Sequence, residues 1–91
     1  MNNSRRKEIA EISDKLRELR EELLNVAAQI DEVRNDERES FDSMPASLKA
    51  IEQAEIILGN VDTLDKANDY INSALVDISD AWSALTHAGA K

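Results

Sequence analysis

Residues 9–33 read IAEISDKLRELREELLNVAAQIDEV, and the apolar residues among them advance in alternating steps of three and four. Ile9, Leu16, Leu23 and Ile30 take the a positions of a heptad, and Ile12, Leu19, Val26 and Val33 take the d positions. That period belongs to an α-helix carrying a narrow apolar stripe, the pattern of a coiled-coil seam. Working upstream, Ser4 is a candidate N-cap, and no Gly or Pro interrupts the chain before Pro45. The spacing predicts a first helix over about 4–40, ~55 Å long at 1.5 Å per residue.

Downstream, the heptad fails where Glu37 and Ser40 fall on the next a and d positions. The break is acidic, with Asp36, Glu37, Glu39 and Asp42 around two apolar side chains, Phe41 and Met44. Pro45 fits the first turn of a new helix, where its missing N–H costs nothing. A second helix is expected over 45–58, with an imperfect inner stripe of Leu48, Ile51, Ala54, Glu55 and Leu58 and with Gly59-Asn60 as its left-handed stop. Asp62 or Thr63 can cap a third helix over 63–88, whose stripe of Leu64, Ala67, Ile71, Ala74, Ile78, Ala81, Leu85 and Ala88 ends at Gly89. Leu75 and Trp82 widen that apolar face beyond what one neighbour covers.

The fold class that follows is all-α: a single domain, 1–91, built as a long antiparallel helical hairpin with a split return arm. A two-layer hairpin buries little for the entropy of ordering its residues, so dimerisation into a four-helix-type bundle is expected. The residues assigned to core or oligomer contact are Ile9, Ile12, Leu16, Leu19, Leu23, Val26, Ile30 and Val33 on the first helix. Ile71, Leu75, Ile78, Trp82 and Leu85 join them on the last.

Composition agrees with an all-α chain and removes several function classes. Three aromatics, two Gly and one Pro in 91 residues argue against a turn-rich β fold. With no Cys and one His, disulfides, thiolate metal sites and two-histidine zinc sets are ruled out. Ile56-Ile57-Leu58 and its neighbours form the most apolar run, too short for a membrane span or a signal peptide, so a soluble cytoplasmic protein is expected. Eleven Lys and Arg face nineteen Asp and Glu, a net charge of −8, and the only basic run is Arg5-Arg6-Lys7. Direct nucleic-acid binding is not expected of such a chain. An acidic balance either keeps the molecule soluble or attracts a basic partner.

No catalytic constellation assembles. Ser13, Ser73, Ser79 and Ser83 have no histidine nearby, and His87 stands where a cation suits a helix C-terminus. Glu18, Glu21 and Glu22 with Asp77 and Asp80 are the one set resembling an all-α Mg²⁺ site. Their neighbours Lys15, Arg17 and Arg20 make them ordinary solubilising pairs. No cofactor, metal or enzymatic activity is expected. The break region is the candidate partner-binding patch, with Asp36, Glu37, Glu39 and Asp42 as a charged rim around Phe41 and Met44.

With its Arg/Lys-rich start, its long Leu/Ile/Glu helix and the segment ERESFDSMPASL (37–48), the chain resembles the small acidic helical proteins often encoded by phages, prophages and plasmids. The likeness runs from Arg5 to about Leu48, and Trp82 and the Ala-rich last helix depart from it. The resemblance implies a non-enzymatic inhibitor that binds a host or defence protein with a basic surface. The alternatives are a structural or assembly coiled-coil module, and a sponge for a nucleotide signal using Arg34, Arg38, Tyr70 and Trp82.

Overall fold

The computed structural model describes residues 1–48 and 52–90. It is an antiparallel hairpin of two long helices, α1 (Asn3–Asp42) and α2 (Glu52–Gly89), packed along their length. The rod measures 70 × 14 × 12 Å, with a radius of gyration of 20.4 Å. A compact chain of this size would have a radius near ~12 Å.

Helix α1 follows from the unbroken heptads. Its N-cap is Asn2, two residues before the expected Ser4: the Asn2 side chain accepts a hydrogen bond from the Arg5 backbone N–H at 2.8 Å. At the other end Ser43 closes the helix, its N–H reaching the Glu39 carbonyl at 2.9 Å, and Met44 N–H follows with a bond to the Phe41 carbonyl. The chain then turns through Pro45, and Leu48 N–H bonds the Pro45 carbonyl. Pro45 therefore belongs to the turn and does not open a helix.

The split return arm is corrected. Helices expected over 45–58 and 63–88 are a single helix from Glu52, and Gly59-Asn60 sits within it. No glycine among the described residues has positive φ, so Gly59 supplies no left-handed stop. The reason is packing on both sides of the glycine: Ala54 and Val61 are the two most deeply buried apolar residues, and the inward stripe runs through Ile57 and Leu64 without a change of phase. Burial along that stripe outweighs the ~1 kcal/mol that one helical glycine costs. Thr63, expected to cap, instead donates its hydroxyl to the Gly59 carbonyl one turn back. Ile51, expected in the inner stripe, lies outside the described residues.

The seam also differs from the a/d reading. On α1 the sheltered residues are Ile9, Ser13, Leu16, Leu23, Ala27, Ile30, Arg34, Glu37 and Phe41, which are heptad positions a and e. The d residues point away from α2: Ile12, Leu19, Val26 and Val33 are 45%, 48%, 37% and 52% exposed. The a positions pack because they lie between d and e, and α2 is seated on the e side.

Register is fixed by polar pairs as well as apolar ones. Ile9 approaches Gly89 at the open end, where a Cβ added to the glycine would lie 3.3 Å from Ile9 Cγ2. Arg34 Nε meets Asp65 Oδ1 at 2.9 Å, Asn68 donates to the Asp31 carboxylate, and Asn60 donates to Glu37 at 3.3 Å. Asn68 stands on the inward stripe with Val61 and Leu75, and its Oδ1 is buried without a partner. A polar residue there opposes sliding of one helix along the other.

Two stability measurements test this description. Gly59→Ala places a methyl where nothing lies within 4 Å, so a gain of about 0.5–1 kcal/mol is expected, raising the midpoint by roughly 4 °C. A helix ending at Gly59 would instead lose stability. Asn68→Leu relieves the unpartnered amide oxygen and is expected to gain about 1 kcal/mol in thermal melts. Lower stability would mean that the bond to Asp31 outweighs that relief.

Candidate functional site

The residues of the expected binding patch are brought together at the turn end of the rod, because α1 continues through the heptad break to Asp42. Asp36, Glu39 and Asp42 are exposed, while Glu37, Phe41 and Met44 are half-buried. Glu37 faces α2, where it accepts from Asn60, and Asp42 is 3.6 Å from Arg38 one turn back. Asp36, Glu39, Ser40 and Ser43 line a shallow recess of about 410 Å³ on the outer side of α1. Ser40 donates its hydroxyl to the Asp36 carbonyl, which leaves the carboxylates of Asp36 and Glu39 to solvent. Phe41 occupies an e position of the seam and so packs toward α2, with Met44 beyond it at the turn. The expected residues therefore share the turn end but not one face: Asp36 and Glu39 line the outer side of α1, and Phe41 lies against the seam.

Folding also concentrates charge. In residues 31–65 ten acids accompany Arg34, Arg38 and Lys49, whereas residues 1–20 hold six cations and four acids. The hairpin brings Asp31–Asp42 and Glu52–Asp65 to one end and leaves Arg5, Arg6, Lys7, Lys15, Arg17 and Arg20 toward the other. The rod is consequently dipolar along its length.

Its two broad sides differ in chemistry. On one side Arg17 and Arg20 lie with Leu16, Ile78, Ser79, Trp82 and Ser83 around a cleft of about 500 Å³. A second recess of about 310 Å³ shares Arg17 and Trp82 with Arg6, Ser13 and Thr86. Trp82 is 36% exposed and forms the ridge between them rather than a filled core. On the other side Val33 shares a recess with Glu37, Asn60, Thr63 and Leu64. Since Ile12, Leu19 and Val26 hold the same heptad position as Val33, and Ala67, Ala74, Ala81 and Ala88 the same position as Asn60, this side carries an apolar band that meets Glu37 at the turn end.

The carboxylates considered for Mg²⁺ do not converge: Glu18, Glu21, Glu22, Asp77 and Asp80 are all exposed, and among the described residues no group of three potential ligands faces a common point. Arg34, Arg38, Tyr70 and Trp82 are not assembled into a pocket either. Arg34 and Arg38 pair with Asp65 and Asp42, Tyr70 is 77% exposed, and Trp82 sits beside Leu16, about 27 Å of helix from Arg34. The arginines that do accompany Trp82 are Arg17 and Arg20, which sequence reading treated as partners for neighbouring glutamates. His87 is exposed in the last turn of α2. Also missed was Ser13, the one buried polar residue among those described, whose e position gave the signal. Among the described residues no helix is long and apolar enough to cross a membrane.

Comparison of the chain with protein-family models, with curated proteins and with solved structures finds no match.

The half-sheltered position of Phe41 makes a measurable demand. Phe41→Ala is expected to destabilise the hairpin by about 2 kcal/mol, because ring surface held against the seam is lost. A change below ~0.5 kcal/mol in chemical denaturation would mean that the ring contributes nothing to the fold.

Proposed function

We propose that the chain is a non-enzymatic protein-binding module that works as a dimer and presents its acidic turn end to a basic partner. The observation that carries this reading is the concentration of carboxylates at the turn end of a rod stiffened by two helices of 40 and 38 residues. Those carboxylates steer a cationic surface toward that end, and the half-buried Phe41 and Met44 offer it apolar surface there. The resemblance to phage, prophage and plasmid proteins suggests the partner class: a host or defence protein whose basic surface the module occupies, as an inhibitor would. The second reading, an assembly module, draws on the exposed d stripe of α1 and differs in assigning the acids to solubility alone.

The experiment is affinity capture from the natural host at low and high salt, with the captured protein then titrated against two variants. In the first, Glu37→Gln and Asp42→Asn are combined, with Asp36 and Glu39 left in place. Helical circular dichroism should stay near the parent's, while the association rate falls about tenfold or more at low salt, with a smaller loss at high salt. In the second, Asp69→Lys, Asp77→Lys and Asp80→Lys should leave affinity close to the parent's. Full affinity in the amide variant, with loss in the second, would move the site to α2. Full affinity in both would favour the assembly module.

A further inference from the structure

The dimer invoked above has a face and a direction that the hairpin itself specifies, and this inference rests on the reading of the chain as self-associating. We infer that two copies pack with their rods antiparallel, through the apolar band carrying Ile12, Leu19, Val26 and Val33, so that the acidic turn end of each lies along the basic open end of the other.

The need for a cover comes from area. The chain exposes 6662 Å². A compact monomer of 10.2 kDa would expose only ~5,300 Å². The excess, roughly 1,300 Å², exceeds the ~800 Å² per partner of a standard protein interface. Within the hairpin only Ala54 and Val61 are buried apolar residues among those described, and no large side chain is fully enclosed. Exposed apolar surface is found on both broad sides, but the d band runs from Ile12 to Val33 with aliphatic residues at every d position and meets a charge, Glu37, only at its turn end. On the Trp82 side the apolar surface is broken by Arg17 and Arg20. The occupied positions also complete a known geometry: helices of four-helix bundles use a, d and e, and here a and e face α2 while d awaits a second layer.

A second copy suits the band better than an unrelated helix because the band is self-complementary. A two-fold axis between Leu19 and Val26 sets Leu19 against the second copy's Val26, and Ile12 against its Val33. Each layer then holds two branched aliphatics from the α1 helices and two alanines from the α2 helices. The small Ala67, Ala74, Ala81 and Ala88 let the α2 backbones approach closely.

Two orientations satisfy this layering, and charge separates them. With the rods parallel, each α1 would lie over the other copy's α2 and the two acidic ends would stand side by side, ten acids against three bases in each. With the rods antiparallel, the α1 helices pair with each other. Continuing the same register one heptad outward brings Arg5 level with the second copy's Ser40, in the recess lined by Asp36, Glu39, Ser40 and Ser43. The chain's one basic run, Arg5-Arg6-Lys7, thereby lies along its most acidic run. Asp42, Glu52, Glu55 and Asp62 stay exposed for another partner.

Light scattering and spin-label distances on the intact chain test both levels. The parent should scatter with twice the 10.2 kDa chain mass. Because the sequence has no cysteine, Asp42→Cys gives a single label site per copy, outside the recess. Antiparallel rods place the two labels about 60 Å apart, and parallel rods bring them within roughly 25 Å. Arg5→Glu should weaken the dimer about tenfold at low salt, as should Asp36→Lys combined with Glu39→Lys. Joining the two sets in one chain should restore much of the loss. A dimer with the short distance, or charge variants of unchanged affinity that do not compensate, overturns the antiparallel arrangement while leaving self-association standing. A folded species of chain mass at micromolar concentration overturns both. Leu19→Glu adds an independent check of the face: because the side chain is exposed in the hairpin, the variant should keep its helical signal while losing the dimer mass, and a persistent dimer would place the interface elsewhere.

Discussion

The constraint on which the structure depends is the seating of α2 against positions a and e of α1. An α-helix carrying apolar residues at a and d can present only part of that stripe to a single neighbour, because d and e lie on opposite sides of a. Once α2 takes the e side, the a residues are shared and the d residues are turned outward. Both the thin cross-section and the exposed Ile12, Leu19, Val26 and Val33 follow from this choice. So does the scarcity of fully buried side chains among the described residues.

Polar groups decide why α2 sits there. Arg34 with Asp65, Asp31 with Asn68, and Glu37 with Asn60 all join α1 to α2 in one register. Exposed pairs of this kind add little stability individually. Their value lies in direction, since rolling α2 to the d side would separate them and leave Asn68 among aliphatics. Specificity here is supplied by residues that contribute weakly to the free energy of folding, while the aliphatic residues that contribute more accept several arrangements.

The same geometry sorts the surface into functional regions. Antiparallel return of the chain gathers acids from both helices at the turn and leaves the cations of residues 5–20 behind at the open end, so a modest imbalance in the sequence becomes an axial dipole. Sequence reading located the acidic end, because charge runs are visible in one dimension. It missed the arginines beside Trp82, because Arg17 and Arg20 meet that ring only after α2 folds back by more than sixty residues of chain.

The sequence by itself determined that the protein is an all-α hairpin, where its first helix lies, and which residues crowd charge at the turn. These are local properties: heptad spacing, absence of Gly and Pro from residues 9–33, and the acidic run around Phe41 are read from neighbours along the chain. Only tertiary structure decided that Gly59 is a helical residue and not a stop, because the stop signal is a local preference of about 1 kcal/mol and the seam through Ala54, Ile57, Val61 and Leu64 overrides it. Only tertiary structure decided which side of the heptad faces inward. The stripe of α1 is compatible with a partner on either flank, and the choice was made by polar pairs between residues more than twenty positions apart.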